Sequence, residues 1–532
     1  MFWTALFGLA AFFTSLVVLR VFRFFWRCAT SPLQELPGPV STSWLYGNVR
    51  EYTEAGQTVL WDYWTEIYGN TFKFSTFFNV GPLFSAPALY TTDTAAMDYI
   101  LTHQEDFVKP TDIKIALTLL GEGLVFAEGH THKKQRRIMN PAFGPAQIRS
   151  LISVFSDKAL QMCELWDSQI HDSSSDGVTM DVLAAMNRVT LDIVGLAGFG
   201  YKFDALESRE DDLNSAFEAI MKTDNSPAQS TIIPLIGSIA PWIISIPFGV
   251  NVTRRRAKAI MDKMGMEIIQ ERKRELIEEE ASGVKGAAGK DLLTLLIRAN
   301  VRDKDGMSDE AVLAQIPTFL IAGHETTSAA LTWTLFGLSA NLNAQKKLRE
   351  ELLTLNTDAP TMDDLKTLKY LDMVVREALR LWSPVSSSKR VAVKDVVLPL
   401  RNGRVVRLNE GDEVRIPIHP MNTAKDVWGE DADEFNPDRW MSPSEAVKGT
   451  PGIWGNQMTF MGGSRACIGF QFAIYEIKAV LYALVRRFEF SLTMPASEVT
   501  WSNIPAIRKA YFRGREDKGP HMPLRVRPYV EA

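Results

Sequence analysis

Cys467 is the residue whose surroundings most clearly suggest chemistry, in the segment FMGGSRACIG. It lies between Gly463 and Gly469 and directly before an amphipathic stretch, 470–488, whose pattern predicts a helix. The N–H groups and positive dipole end at a helix start favour the thiolate, which is the form that binds metals. The glycines allow close approach of a flat ligand, and Arg465 can pair with a carboxylate of that ligand. The spacing alone leaves an inert, buried cysteine as the alternative.

A second group of reactive side chains lies in Ala322-Gly323-His324-Glu325-Thr326-Thr327, within a helical pattern at 311–340. Glycine is a poor helix former, and a mid-helix threonine can bond back to the preceding turn and bend the helix. Together these features would open a groove with an acid, Glu325, and an alcohol, Thr326, beside it. The alternative for Gly323 is a notch for helix packing.

A third pattern is a glutamate and an arginine three positions apart, Glu377 and Arg380, which share one face of a predicted helix. By itself it is a weak signal, because most such pairs are solvated surface contacts that contribute little.

Taken together, these segments resemble the cytochrome P450 family. FMGGSRACIG matches the haem-binding loop F-x-x-G-x-R-x-C-x-G at every fixed position, with Ser464 where proline is common. The Glu325–Thr326 segment matches the oxygen-binding groove, and Glu377-x-x-Arg380 matches the E-x-x-R motif. The resemblance covers residues 37 to about 528 and is closest to fungal members.

The resemblance implies haem b as cofactor, with Cys467 as the axial ligand of the iron. Thr326 would hold dioxygen in the groove, and Glu325 would help to relay protons to it. The other haem-binding residues that it implies are Phe460, Gly463, Arg465, Gly469, Ala322 and Gly323. It also implies a structural network of Glu377, Arg380 and Arg439, and breaking a buried network of this kind costs about 3–5 kcal/mol.

One further match is partial. The family commonly has W-x-x-x-R where this chain has His132 and Arg136. Two donors four positions apart on one helix face still suit a haem propionate, and Arg390 resembles another propionate partner. The other basic residues of this run, Lys133, Lys134 and Arg137, are typical of a solvated face that helps to dock an acidic redox partner.

The pattern of elements around these motifs predicts a mainly α protein with a minor β portion, and the resemblance implies that this is the cytochrome P450 fold. Apolar periodicity indicates helices at 182–200, 254–280 and 328–355. Aromatic alternation at 70–92 predicts a small sheet. Residues 390–418 favour short strands with turns at Gly403 and Gly411, and the tail beyond 489 is expected to be extended.

The N-terminus predicts one transmembrane helix. Residues 2–19 carry no charge, and the apolar character continues to Trp26, which is long enough for a helix to cross a bilayer. A cleaved signal peptide would have positive charges before the apolar run, whereas here the arginines at 20, 23 and 27 follow it. Basic residues that flank a transmembrane helix stay on the cytosolic side, so we expect the short N-terminus to be translocated.

We therefore expect an anchor at 1–27, a Pro-rich hinge at 28–40 and a haem-thiolate catalytic domain at 41–532. The protein would be single-pass in the endoplasmic reticulum membrane, with the catalytic domain in the cytosol.

Composition limits the other classes of protein to which the chain could belong. The 532 residues are 46% hydrophobic and 23% charged, and the formal net charge of -5 gives no basic character that would favour nucleic acid. Three cysteines are too few for a disulfide framework and fit a reducing compartment. The sequence shows no flavin or dinucleotide module, so the resemblance implies electrons from NADPH through a separate NADPH-cytochrome P450 reductase.

Rival functions remain at this point. A reductase-independent haem-thiolate isomerase or dehydratase tends to lack the acid–alcohol pair, and Glu325 and Thr326 argue against it. A haem sensor or carrier needs no proton relay. A membrane hydrolase would need a G-x-S-x-G elbow, which the sequence does not contain.

The resemblance implies a lipophilic substrate and monooxygenation, with a terpenoid of fungal secondary metabolism as the first candidate and a fatty acid, aromatic or xenobiotic as the alternative. The expected pocket segments are about 110–127, 231–250, Phe319 and Ala322, 384–388, and the turn near Ile504. The 231–250 stretch contains three prolines, so we expect it to be buried or to dip into the membrane surface rather than to span it.

Overall fold

The computed structural model describes residues 2–54, 57–76, 86–110, 121–173, 176–207, 250–283, 289–504 and 507–530. The chain forms two compact units. Unit 1 comprises Met1–Pro110, Ser387–Met421 and Gly462–Ser464, and unit 2 comprises Thr111–Ser386, Asn422–Met461 and Arg465–Ala532.

Helices dominate the described residues, and strands are short. The helices are α1 (Phe2–Thr30), α2 (Val49–Glu54), α3 (Gln57–Tyr68), α4 (Thr94–Thr102), α5 (Gly129–Met139), α6 (Pro145–Asp172), α7 (Val182–Phe199), α8 (Val250–Ser282), α9 (Leu292–Arg302), α10 (Asp309–Leu313), α11 (Gln315–Ala340), α12 (Leu342–Leu352), α13 (Met362–Thr367), α14 (Lys369–Leu381), α15 (Ile418–Thr423), α16 (Lys425–Trp428), α17 (Glu445–Lys448) and α18 (Phe470–Arg487). The strands are β1 (Thr71–Ser75), β2 (Pro87–Thr91), β3 (Phe107–Val108), β4 (Val178–Asp181), β5 (Ser388–Ala392), β6 (Val396–Pro399), β7 (Val405–Leu408), β8 (Glu413–Ile416), β9 (Phe488–Leu492), β10 (Val499–Ile504), β11 (Ile507–Phe512) and β12 (Pro523–Pro528).

Unit 1 contains a five-stranded sheet in the order β1-β2-β8-β5-β3. Strands β2 and β8 are parallel, and the other neighbours are antiparallel. Aromatic stacking fills the core against it, since the ring of Tyr90 lies 4.8 Å from Trp61 and 4.6 Å from Phe72. The small sheet predicted at 70–92 is confirmed in β1 and β2, and residues 77–85 lie outside the described residues.

The end of α1 is attached to the turn between β7 and β8. The helix continues to Thr30, beyond the expected anchor boundary at residue 27. The Arg27 guanidinium donates to the carbonyl of Gly411 at 2.9 Å, and the Ser31 hydroxyl donates to Asp412 at 2.9 Å. Gly411 has a φ of 88°, as a turn glycine, and Gly403 has a φ of 80°, so both predicted turns are confirmed.

Unit 2 is built around α11, which packs against α7, α14 and α18. Helix α7 starts at Asp181, whose carboxylate accepts the N–H of Leu183 at 3.1 Å, and it ends at Gly200 with a φ of 64°. Among the described residues, α7 alone is long and apolar enough to cross a bilayer, but 72% of it is buried in the protein. It is therefore a core helix here.

The single helix predicted at 328–355 was wrong, because the chain breaks at Asn341 between α11 and α12. Asn341 leaves the helical region with φ −120° and ψ 82°, and its side chain accepts the N–H of Ala344 at 3.0 Å. A side chain that caps the next helix stabilises the break, which apolar periodicity cannot reveal.

The tail beyond 489 is extended, as predicted. Strands β10 and β11 form an antiparallel hairpin, and β12 lies between β4 and β9 in a three-stranded sheet. The hairpin packs against α11, which brings residues from the end of the chain to the middle of this helix.

Candidate active site around Cys467

Cys467 is accessible, whereas Cys28 and Cys163 are buried. Its surroundings are nonetheless deep in protein, because burial raises the pKa of the Cys467 thiol while the N–H of Gly469 and the charge of Arg136 lower it. The thiol is therefore accessible and yet surrounded by groups of unit 2. The N–H and the guanidinium are the contacts that a thiolate needs.

The loop before Cys467 is held in a tight conformation. The N–H of Cys467 donates to the carbonyl of Phe460 at 2.9 Å. Met461 has a φ of 58°, a region that residues other than glycine seldom adopt. Such strain persists only where the surrounding structure enforces it, and it is concentrated at functional sites.

The two loop glycines are needed for different reasons. Gly463 has a φ of 68°, and a Cβ there would lie 1.9 Å from the carbonyl oxygen of Leu101 in unit 1. A Cβ at Gly469 would lie 3.7 Å from the ring of Phe143, an ordinary contact. Protein packing alone therefore requires glycine at 463 but not at 469.

Two arginines tie both ends of α5 to the cysteine loop. Arg136 donates to the carbonyl of Ala466, next to Cys467, at 2.6 Å. Arg465 donates to the carbonyl of Ala127 at 2.6 Å and forms an ion pair with Glu128. The sequence suggested a ligand carboxylate for Arg465, and the carboxylate that it meets in the structure is that of Glu128.

His132 and Arg390 are both largely buried. His132 lies in α5 and is 4% exposed. Arg390 lies in β5 of unit 1, is 6% exposed, and donates to the Ser388 hydroxyl at 2.9 Å and to the Lys389 carbonyl at 2.7 Å.

The basic run of α5 is largely paired within unit 2. Lys134 lies 2.8 Å from Asp305, and Arg137 forms an ion pair with Asp303. The side chain of Arg137 is 57% exposed, but its charge is balanced by this partner. These are ion pairs at the surface, so they are compatible with the predicted solvated face, but the two basic groups already have acidic partners within the chain.

One face of α11 is open although most of the helix is buried. Ala322, Gly323 and Thr326 are not buried, and they lie on one side of a helix with 3.6 residues per turn. Thr326 donates its hydroxyl to the carbonyl of Ala322 at 2.5 Å, the back-bond expected from the sequence. Gly323 also acts as a packing notch, because a Cβ there would lie 2.8 Å from a methyl of Val194 in α7.

Phe143 connects the cysteine loop to this helix. Its ring is near Gly469 on one side and lies 5.6 Å from the ring of Phe319, one turn before Ala322. Phe319 is only 7% exposed, so the structure places it in the core rather than in an open pocket wall.

The neighbours of Thr326 in α11 have distinct environments. Glu325 is buried and forms an ion pair with Lys509 of β11, with 3.3 Å between Nζ and Oε1. Burial, followed by the charge of Lys509, lowers the pKa of His324 to about 3, so its ring is neutral. Burial raises the pKa of Glu476 in α18 well above its ordinary value, and the Thr327 hydroxyl opposes this effect.

The structure brings Glu377, Arg380 and Arg439 together in unit 2. Glu377 and Arg380 form a two-pronged ion pair with distances of 2.8 and 2.9 Å, and both side chains are fully buried. Arg439 donates to the same carboxylate at 3.2 Å. Two partners that sequence reasoning missed are Trp440, whose indole N–H donates to Glu377 at 3.0 Å, and Asp431, which lies 2.8 Å from Arg439.

Three of the expected pocket segments fall wholly or partly outside the described residues: 111–120, 231–249 and 505–506. The described remainder of the first segment packs on α11, where Gln315 accepts the N–H of Leu124 at 2.8 Å. Gly123 is required there, since a Cβ would lie 2.0 Å from the Thr318 hydroxyl oxygen.

Comparison with known proteins settles the family. The model of the family described as Cytochrome P450 matches residues 37–505. This chain is a member of the cytochrome P450 family. It is similar to cytochrome P450 monooxygenase 205 of Postia placenta, with 43% identity over 94% of each chain. It is 33% identical to cytochrome P450 monooxygenase claP of Ampulloclitocybe clavipes over 94% of each chain. It is 34% identical to ganoderic acid synthetase CYP5150L8 of Ganoderma lucidum over 87% of this chain and 89% of that protein.

Members of the cytochrome P450 family are haem-thiolate oxidoreductases that use a redox partner and a small-molecule substrate. The fold, the enzyme class and the haem cofactor predicted from the sequence are therefore confirmed at this level. The residues of this cytochrome P450 fit a thiolate-bound haem, since they supply an accessible thiol, N–H and arginine contacts for it, and an open helix face in the same unit.

Proposed function

We propose that this cytochrome P450 inserts one oxygen atom from O2 into a lipophilic small molecule, with Cys467 as the thiolate ligand of haem b. The observation that carries the proposal is the accessible Cys467 thiol inside unit 2, in contact with the Gly469 N–H and under the charge of Arg136. Thiolate-bound haem supplies electron density that favours O–O cleavage. The other two cysteines are buried, so their thiols are not accessible to a ligand.

The residues around Cys467 hold the loop and contact the cofactor in this proposal. Phe460 fixes the Cys467 backbone through its carbonyl, and its ring lies 5.9 Å from Trp454. Arg136 holds the carbonyl before Cys467. The donors of unit 2 that we assign to the haem propionates are His132, Arg136 and Arg465, the last of which would share its guanidinium with Glu128.

The open face of α11 contains the groups that handle protons. Ala322 and Gly323 leave room beside Thr326, whose hydroxyl can accept a hydrogen bond while it donates to the Ala322 carbonyl. Glu325, which immediately precedes Thr326 in the helix, has a carboxyl that can bind and release a proton. This acid–alcohol pair favours monooxygenation over the isomerase or dehydratase alternative, which needs no delivery of protons from solvent.

The N-terminal residues support an anchor in the endoplasmic reticulum membrane. Several large apolar side chains of α1 are exposed, with Phe12 61%, Phe22 61% and Trp26 62% accessible, and a group of large apolar side chains in this state marks a contact with lipid or protein. We propose an anchor at 1–27, a hinge at 28–40 and a catalytic domain at 41–532 in the cytosol. Electrons would come from NADPH through a separate membrane-bound reductase.

The substrate that we propose first is a terpenoid of fungal secondary metabolism. One relative bears the name ganoderic acid synthetase, and several relatives are fungal monooxygenases of similar length. A fatty acid or a xenobiotic is the alternative substrate class.

The test is incubation of microsomes containing the protein with NADPH, a fungal reductase, 18O2 and a panel of terpenes and fatty acids. We expect one 18O atom per product from at least one terpene, and no product without NADPH. Products formed without NADPH or without incorporation of 18O would contradict monooxygenation and favour the isomerase or dehydratase.

Thr326→Ala should lower the amount of product formed per NADPH consumed and raise the release of peroxide, because the variant lacks the hydroxyl that we place in the path of proton delivery. Thr334→Ala is the matched control, since Thr334 makes the same back-bond, to the Ala330 carbonyl at 2.7 Å, but is buried in the same helix. Equal coupling in the two variants would remove Thr326 from the proposal.

A further inference from the structure

Glu325 receives its charged partner from the far end of the chain. Lys509 is 184 positions downstream, and its Nζ lies 3.3 Å from Glu325 Oε1, with side-chain exposures of 17% and 7%. We propose that Lys509 is a positioning residue that keeps Glu325 an oriented carboxylate and so sets the rate of proton delivery to the open face of α11. This inference rests on the proposed function.

The pair is needed because Glu325 is buried. A carboxylate removed from water without a cation or donors is strongly disfavoured and takes up a proton instead. The second oxygen, Oε2, has no hydrogen-bond partner within the described part of the chain. Lys509 therefore holds one oxygen, and Oε2, which is buried and has no donor of its own in the described residues, is the oxygen to which we assign proton transfer.

The immediate neighbours do not replace this cation. His324 is neutral, because burial and then the charge of Lys509 lower its pKa to about 3. Burial raises the pKa of Glu476 on α18, which packs against α11, and this side chain has no positive charge to offer. Of these groups, Lys509 alone contributes a positive charge at Glu325.

The strand determines where the ammonium group reaches. Successive side chains of a strand point to opposite faces. Arg508 faces away from α11, since it donates to the Leu381 carbonyl at 2.9 Å and stacks 4.0 Å over the ring of Trp501. Lys509 therefore faces α11, and its pairing with Ser502 in β10 fixes its level along the helix.

Glu325 flanks the open face of α11 rather than lying within it. Consecutive helical residues are about 100° apart, so Glu325 lies beside Thr326 and at the edge of the stripe formed by Ala322 and Thr326. A carboxylate at this edge can pass a proton to the Thr326 side only if its orientation is held. An unrestrained carboxyl would spend part of its time in rotamers that do not face Thr326.

The experiment uses the full-length, haem-loaded protein in lipid vesicles with a separate reductase. NADPH consumption is measured in H2O and in D2O for the wild type, Lys509→Met, Lys509→Arg, Glu325→Gln and the double variant Lys509→Met/Glu325→Gln. Lys518→Met, an exposed lysine of the same C-terminal region, is the matched control. Thermal unfolding of the same proteins gives a readout that is independent of turnover.

We expect Lys509→Met to slow NADPH consumption roughly 10–100-fold, at the lower end of what positioned proton donors contribute, and to enlarge the solvent isotope effect. Lys509→Arg should restore both because it keeps the charge. Lys509→Met should change the rate and Tm little in the Glu325→Gln background, since interacting residues are not additive.

A wild-type isotope effect in Lys509→Met, or additive changes in the double variant, would overturn the proposal. Failure of the wild type itself to consume NADPH would instead contradict the proposed function, and the Tm cycle would still decide whether Lys509 and Glu325 interact.

Discussion

Replacing Glu377 by glutamine removes the charge at the centre of the buried network in unit 2. The carboxylate accepts five hydrogen bonds, two from Arg380 and one each from Arg439, Trp440 and the N–H of Asn436. A glutamine amide turns one acceptor into a donor that faces other donors. The guanidinium of Arg380, fully buried, would keep only carbonyl partners.

The magnitude follows from the burial of the pair. Breaking a buried ion pair by removing one partner costs about 3–5 kcal/mol. Unfolding entropy near 60 °C is about 2.1 cal/mol/K per residue, which gives roughly 1.1 kcal/mol/K for 532 residues. The free energy lost therefore corresponds to a decrease in Tm of about 3–5 °C.

The assay is thermal unfolding of the haem-loaded protein, followed by circular dichroism and by the haem band. Arg149→Gln is the control, because Arg149 and Asp363 form an ion pair with side chains 55% and 59% exposed, and exposed pairs contribute about 0–1 kcal/mol. Equal Tm values for Glu377→Gln and Arg149→Gln would refute the reasoning that this network stabilises the fold.

Two further predictions concern the helices that pack on α11. Burial raises the pKa of Glu476 in the folded protein, whereas in the unfolded chain this carboxyl has the ordinary glutamate pKa of about 4.3. As the pH rises above about 4.3, the unfolded chain loses the proton before the folded protein does, and the free energy of unfolding therefore falls. Glu476→Gln should therefore raise Tm more at pH 8 than at pH 5, and a difference that does not change with pH would contradict this. Gly323→Ala should destabilise the fold by roughly 1–3 kcal/mol through overpacking against Val194, and Val194→Ala in the same chain should recover most of the loss in urea unfolding. If Gly323→Ala and Gly323→Ala/Val194→Ala were equally stable, Val194 would not be the side chain that occupies the notch at Gly323.

Local patterns were sufficient to predict the main elements and the motif residues. The back-bond of Thr326 and the pairing of Glu377 with Arg380 depend on positions three or four apart, which a helix brings together by its own geometry. The extended tail and the turns at Gly403 and Gly411 are likewise local properties of the chain.

Long-range partners could not be predicted in this way. Glu128 meets Arg465 across 337 positions, and Lys509 meets Glu325 across 184, so tertiary packing alone brings them together. No local signal separates these basic and acidic side chains from solvated ones. The break at Asn341 was missed for a related reason, since a cap depends on one side-chain conformation rather than on periodicity.

The measurement that tests the account most directly is the reduced, carbon-monoxide-bound spectrum of Cys467→Ser beside that of Cys163→Ser, a buried cysteine outside the site. We predict that Cys467→Ser loses the red-shifted thiolate band, because a hydroxyl is a far poorer donor to iron, and that Cys163→Ser keeps it. A Cys467→Ser protein that retained the wild-type band would contradict the assignment of Cys467 as the haem ligand.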